Sequence, residues 1–178
     1  MGIDDKIINL SDEILSMGFN TEDRVLHFGV CDNNLNFIET VEQNNIGLYY
    51  LGIDVKDEIY DLSEKYKDIP PYAFRKTSMQ DFIDDVMFKY EGNNTFETTI
   101  ITGVFDKPIY KEKQFIFIST IIERCLKFSN KVIFIINDKD YYNYNYNILY
   151  VINNLLSSFN GVIIKKLDRN NYIFCVTI

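Results

Sequence analysis

Apolar positions along the chain follow two alternating patterns. From Ile3 to Met17 they fall at Ile7, Ile8, Leu10, Ile14, Leu15 and Met17, close to one helical face, and Gly18 ends the run. Arg24–Gly29 is a short apolar run that reads as a strand, and Leu35–Gln43 reads as a helix. Strand Leu48–Ile53 follows, then a helix from Asp57 to Tyr66, the Pro70-Pro71 break, strand Tyr72–Arg75 and helix Met79–Tyr90. Thr98–Phe105 is rich in β-branched residues, as strands are. Lys111–Phe128 is the longest predicted helix, ahead of strand Lys131–Ile136 and helix Asn145–Phe159. Gly161–Lys166 and Asn171–Ile178, joined by Leu167–Asn170, make a closing hairpin.

Short apolar strands alternating with helices imply parallel β-α-β units with right-handed crossovers. With the hairpin added, the expected class is α/β: a three-layer sandwich on a mostly parallel seven-stranded sheet with an antiparallel C-terminal hairpin. No linker or repeat divides the chain, and the Asp140–Asn147 tract reads as a surface loop. Residues 1–178 are therefore expected to form one domain, with residues 1–20 packed on it as an N-terminal helix. A chain of 178 residues can bury roughly 70% of its unfolded surface, enough for one core.

Composition narrows the function classes. A formal charge of -8 disfavours nonspecific partners that want a basic face, nucleic acid and anionic membrane alike. The longest apolar runs are about half the roughly 20 residues of a membrane span. The first ten residues put acids where a secretion signal needs positive charge, and Lys6 stands where acylation wants Ser or Thr. Cys31, Cys125 and Cys175 form no C-x-x-C pair, which argues against a disulfide framework or zinc cluster and fits a reducing cytoplasm. With a single histidine, no metal site is expected. Thirteen Tyr, 14 Phe and no Trp fit an AT-rich genome, such as that of a phage or a low-GC bacterium.

In an open α/β sheet ligands bind beyond the carboxyl ends of the strands, near the first one. Those ends are Gly29–Asn34, Asp54, Thr77–Asp81, Thr102–Asp106 and Asn137–Asp140. Here the chain resembles the class I S-adenosylmethionine-dependent methyltransferases, a Rossmann-like family. Val25–Asn33 (VLHFGVCDN) stands where that family carries V-L-D-x-G-x-G-x-G, and Tyr50–Asp54 (YLGID) matches its second strand, whose acid holds the adenosyl ribose. Phe96–Phe105 (FETTIITGVF) is similar to its fourth strand, often F-D-x-V-x-x-S-G-V-F. The element order matches from about Arg24 to Ile178.

The resemblance implies S-adenosylmethionine as cofactor, with His27, Gly29, Cys31, Asp54, Ser78, Asp81, Thr102 and Gly103 around it. The departures are specific. Cys31 and Asn33 replace two glycines, His27 stands where an acid receives the cofactor's ammonium group, and Ser78 takes the place of an adenine-binding Asp. A second subunit, either a protein partner or another copy, would then supply the missing acid. No catalytic acid or base is assigned, because methyl transfer runs on proximity and alignment. The fourth strand does not end in the N/D-P-P-Y/F of base methyltransferases, so the implied acceptor is a small molecule or a protein side chain.

Each residue also has a plain structural reading. Asp54 can cap the next helix, His27 can be a hydrogen-bonded core histidine, and Cys31 a small buried group. Thr102-Gly103 can simply start a loop, and Asp32 with its neighbouring asparagines can cap a helix. Asp84-Asp85 reads as a solvated helix face, and Phe115, Ile116, Ile121 and Ile122 as core. Tyr141–Tyr146 offers rings to a base but lacks nearby cations. The alternative function is an inactive module on the same fold that works through protein partners, in a phage particle or against a host protein. A phosphate-binding G-x-x-x-x-G-K-[ST] signature is absent from the sequence.

Overall fold

A computed structural model describes residues 9–31, 37–69, 71–89, 95–105, 114–137, 148–168 and 171–178. Its strands are β1 (Arg24–Phe28), β2 (Tyr49–Asp54), β3 (Tyr72–Lys76), β4 (Phe96–Ile101), β5 (Ser129–Asn137), β6 (Gly161–Lys166) and β7 (Asn171–Thr177). Its helices are α1 (Leu10–Leu15), α2 (Phe37–Gln43), α3 (Ile59–Lys65), α4 (Met79–Lys89), α5 (Gln114–Cys125) and α6 (Ile148–Ser158). The strands form one sheet in the order β3-β2-β1-β4-β5-β7-β6, parallel except for β7, which pairs antiparallel on both sides. The expected three-layer α/β sandwich with its antiparallel C-terminal hairpin is the fold observed.

Strand alternation builds the two faces. Val25, Ile100, Ile133 and Ile173 point to the layer of α1, α2 and α3, where Ile14, Phe37, Val41 and Ile59 meet them. Their neighbours Leu26, Ile101, Phe134 and Phe174 point the other way, onto Ile83, Ile118, Ile122, Val151 and Leu155 of α4, α5 and α6. Because both faces are covered, the central strands are almost continuously apolar. Phe134 and Phe174 lie directly opposite across the β5–β7 pair and stack with centroids 4.8 Å apart.

At the base of the sheet the Thr99 and Ser129 hydroxyls are buried and 2.6 Å apart. Thr99→Val strands the Ser129 hydroxyl in an apolar layer and is expected to cost about 1–3 kcal/mol in urea unfolding. Thr99→Val with Ser129→Ala should recover part of that loss, and an unaffected single mutant would count against the pairing.

Several boundaries differ from the sequence reading for identifiable reasons. Among the described residues the N-terminal helix starts at Leu10, where Asn9 is extended (φ -74, ψ 105) and its side chain accepts the Ser11 N–H as a cap; residues 1–8 lie outside the described residues. β4 ends at Ile101, earlier than Phe105, since Gly103 has a φ of +66° and turns the chain. Ile116 is 59% exposed, on the side of α5 away from the inward row Gln114, Ile118, Ile121, Ile122 and Cys125. Asp84 and Asp85 are ion-paired to Arg124 and Arg75. The Asp140–Asn147 tract, Asp32–Asn36 and Asp106 lie outside the described residues.

The N-terminal helix is tied down after its end. Lys131, half-buried, donates from Nζ to the carbonyls of Met17 and Gly18 and sits 4.7 Å over the Phe19 ring. Glu13 pairs with Lys165 of β6.

Candidate functional site

From β1 the chain winds outward to β2 and β3, then returns through α4 to β4 on the other side of β1. That reversal puts the ligand crevice of an open sheet at the carboxyl ends of β1 and β4. Gly29 follows β1 and Thr102 follows β4, so the topology brings together two of the residues singled out from sequence.

The two ends are closed tightly. Thr102 N–H donates to Phe28 O at 2.9 Å, while Gly29 N–H donates to Ile53 O at 2.9 Å. Gly29 has a φ of +81°, and a Cβ placed there would lie 1.9 Å from Thr102 O. Glycine is required on both counts.

His27 lies beneath this junction at 1% exposure, with its ring on the α2 side. Its Nδ1 is 2.5 Å from Tyr50 Oη and its Nε2 is 2.8 Å from Thr102 Oγ1. The Thr102 hydroxyl has one proton, directed to the carbonyls of Gly29, 3.0 Å away, and Phe28, 3.3 Å away, with the nearer Gly29 O as its main acceptor. The order that satisfies every group therefore runs one way. Tyr50 O–H donates to Nδ1, Nε2–H donates to Thr102 Oγ1, and Thr102 O–H donates to Gly29 O. Burial holds the imidazole neutral, pushing its pKa from 6.5 down to about 3 against the pull of Asp54. Burial also raises the Tyr50 phenol well above its ordinary value.

Asp54 ends β2 at 8% exposure. Its Oδ1 accepts the Val55 and Lys56 N–H groups at 2.8 and 3.0 Å, and its Oδ2 accepts the Cys31 N–H at 3.0 Å. It does not cap α3, whose N-cap is Glu58. Instead, the carboxylate fixes the loop after β1 against the turn after β2. A carboxylate has about four acceptor positions. Three are filled here by backbone N–H groups, and the Cys31 thiol also hydrogen-bonds to the carboxylate.

Cys31 is buried beside Asp54, and burial, then the Asp54 charge, pushes its thiol up to about 12. It stays protonated at neutral pH and is no nucleophile. Lys56, which the sequence reading passed over, donates from Nζ to Cys31 O at 3.3 Å. Ser78 and Asp81, after β3, are bound to each other. The Ser78 hydroxyl donates to Asp81 Oδ2 at 2.6 Å and accepts the Asp81 N–H at 3.0 Å, a cap at the start of α4. Gly103 follows Thr102 with a φ of +66°.

Tyr50 is the other participant the sequence reading missed. Its signal was Gly52, which faces His27 across the β1–β2 pair. A Cβ at Gly52 would come within 2.7 Å of the Phe74 ring and 3.2 Å of the Tyr50 ring, so the glycine makes room for both. Behind the imidazole lies a small pocket of about 40 Å³, lined by Val30, Phe37, Ile38, Tyr50 and Lys65 among others. Lys65 of its lining is ion-paired to Glu39.

No protein-family model matches the chain, and no curated protein matches it in sequence. Solved structures do match. A human methyltransferase 10 domain containing protein is 13% identical with a TM-score of 0.64, over 95% of this chain and 82% of that one. A putative S-adenosylmethionine-dependent methyltransferase from Listeria monocytogenes is 12% identical with a TM-score of 0.60, over 93% of this chain and 96% of that one. TrmK of M. capricolum, solved with S-adenosyl-homocysteine, is 10% identical with a TM-score of 0.58, over 96% of this chain and 69% of that one. Other matches are longer proteins, and the chain spans 39% of monomeric WbdD and 40% of a chain of the Pnkp1/Rnl/Hen1 RNA repair complex. The fold is that of the class I S-adenosylmethionine-dependent methyltransferases.

Proposed function

We propose that this chain binds an S-adenosyl cofactor in the crevice at the ends of β1, β2 and β4 and acts as a methyltransferase on a small-molecule or protein acceptor. The observation that carries this reading is Asp54, whose carboxylate is held at the end of β2 by three backbone N–H groups. An acceptor fixed in that way at the end of β2 suits a ribose hydroxyl. Gly29 lets the ends of β1 and β4 close on each other, which fixes the start of the loop that borders the crevice. When bound, S-adenosylmethionine supplies an activated methyl group. The chain's own residues would hold and align the nucleoside, which is most of what such a transfer asks of a protein.

The fit is good for the nucleoside half and poor for the ammonium end. His27, where the family's acid would stand, is neutral and has both ring nitrogens engaged. That observation favours the second reading, a cofactor-free module working through a protein partner or another copy of the chain.

Titration with S-adenosylmethionine and S-adenosyl-homocysteine separates the readings. Micromolar binding, about -8 kcal/mol, is expected of the first. Asp54→Asn turns an amide N–H₂ toward the Cys31 N–H or removes one acceptor, and should weaken binding by about tenfold or more. A thermal melt of the variant shows whether it is folded. Neither heat nor a thermal shift at millimolar concentrations of both ligands would reject cofactor binding in favour of the module.

A further inference from the structure

Among the described residues β6 pairs with β7 alone, so its outer row of backbone N–H and C=O groups faces no other strand. Proteins guard such edges with charge, proline or a bulge. The far edge, β3, has guards of this kind: it follows Pro71 and exposes Arg75 and Lys76. β6 instead opens with Gly161, Val162, Ile163 and Ile164, and Ile163 is 58% exposed. Its charges come only after them and are committed within their own chain, Lys165 to Glu13 and Lys166 over the Tyr172 ring at 5.3 Å. The uncharged character extends beyond the strand. From Tyr141 to Ile164 the sequence has no Asp, Glu, Lys or Arg, in a chain where these make up 25%. Asn153, Leu156, Ser157 and Ser158, exposed in the second half of α6, belong to that stretch.

A chain of charge -8 repels a copy of itself at most faces, whereas an uncharged edge lets two copies meet. β6 is also complementary to itself. Two identical strands pair antiparallel about a two-fold axis, and an axis at Ile163 sets that residue opposite its counterpart. Lys165 then faces Gly161 of the partner subunit and Lys166 faces Asn160 of the partner subunit, so no like charges lie opposite each other. We propose that two copies of this chain join through β6, antiparallel and centred on Ile163, into one sheet that runs across both. The assembly closes at two, because each copy contributes one such edge and the β3 edges at the ends are guarded.

Sedimentation velocity of the full chain, at loading concentrations from about 1 to 100 μM, is expected to show a dimer. Ile163→Lys and Ile163→Glu each set like charges opposite one another across the axis and should give monomers. The position is exposed, so both variants should keep the wild-type circular dichroism spectrum. Mixing the two variants brings opposite charges together and should restore the dimer. In the wild type, the β6 amides should exchange hydrogen more slowly as concentration rises, and those of β3 should not, a readout that needs no variant. A wild-type monomer throughout the range, an assembly larger than a dimer, or β6 exchange unchanged by concentration would overturn the inference. So would a folded variant that still dimerises alone, or two folded variants that fail to pair when mixed.

Discussion

Gly29→Ala is expected to unfold the protein or leave it barely stable. The position has a φ of +81°, and an L-residue there costs roughly 1–2 kcal/mol before any contact is considered. The new methyl group would then lie 1.9 Å from Thr102 O and 2.9 Å from Thr102 C. Both are backbone atoms at the end of a central strand, so no rotamer change relieves the overlap. β1 and β4 would have to part, taking with them the Thr102 N–H bond to Phe28 O and the Thr102 hydroxyl bond to Gly29 O. The total loss should exceed about 4 kcal/mol, a large share of a typical domain's stability. Gly18→Ala is the matched control. Gly18 has nearly the same φ, +86°, but nothing lies within 4 Å of its added Cβ. It should lose only the conformational cost. Urea midpoints for the two variants would decide the matter, and equal small losses would mean that the β1–β4 junction is looser than described.

The second large effect is acid destabilisation centred on one side chain. Folding lowers the His27 pKa from 6.5 to about 3, chiefly by burial. Between those values the unfolded chain binds a proton that the folded chain does not, so stability rises with pH across this window and levels off above it. As pH falls from 6.5 the loss approaches about 1.4 kcal/mol per pH unit, and the whole window is worth up to about 5 kcal/mol. His27 is the only histidine in the sequence, so nothing else of its kind titrates between pH 7 and 5. Lower down the carboxylates join, among them Glu97 and Asp84, held below their ordinary range by hydrogen bonds to Arg24 and Arg124. Unfolding free energies measured from pH 8 to 5 should therefore bend downward below about 6.5. His27→Leu should be less stable at pH 8, because it strands the Tyr50 and Thr102 hydroxyls, yet its profile above pH 5 should be flat. A flat wild-type profile would mean that the imidazole can charge in place.

The fold was legible in the sequence because the core strands are apolar on both faces. Val25-Leu26 and Val132–Ile136 leave no polar side to expose, which only a sheet covered by two helical layers accepts. Gly29 and Asp54 were legible through position, at strand ends where ligands and turns both need special residues. What could not be read was register. His27 and Tyr50 are 23 residues apart and meet only because His27 sits opposite Gly52, which carries no side chain to keep the tyrosine away. Residue type alone likewise left Ser78 and Asp81 open to a ligand role, and their mutual hydrogen bonds emerge only with the helix start drawn in. Ile116 misled for a simpler reason. A helix with apolar residues on several sides does not say which of them lies outward, and α5 turns Ile118 and Ile122 inward instead.

The sheet order also bears on how the molecule is made. β7 is the last strand along the chain, yet it lies between β5 and β6, and its Ile173, Phe174, Cys175 and Val176 are buried in the two cores. During synthesis β1 to β5 can pair in sequence, each beside a strand already made. β6 cannot, because its sole neighbour is still to come. On the ribosome it must wait unpaired, with the β5 edge exposed, until β7 has emerged and fills the gap between them. Completion of the sheet thus waits on β7, and until it is made two open strand edges are exposed to aggregation.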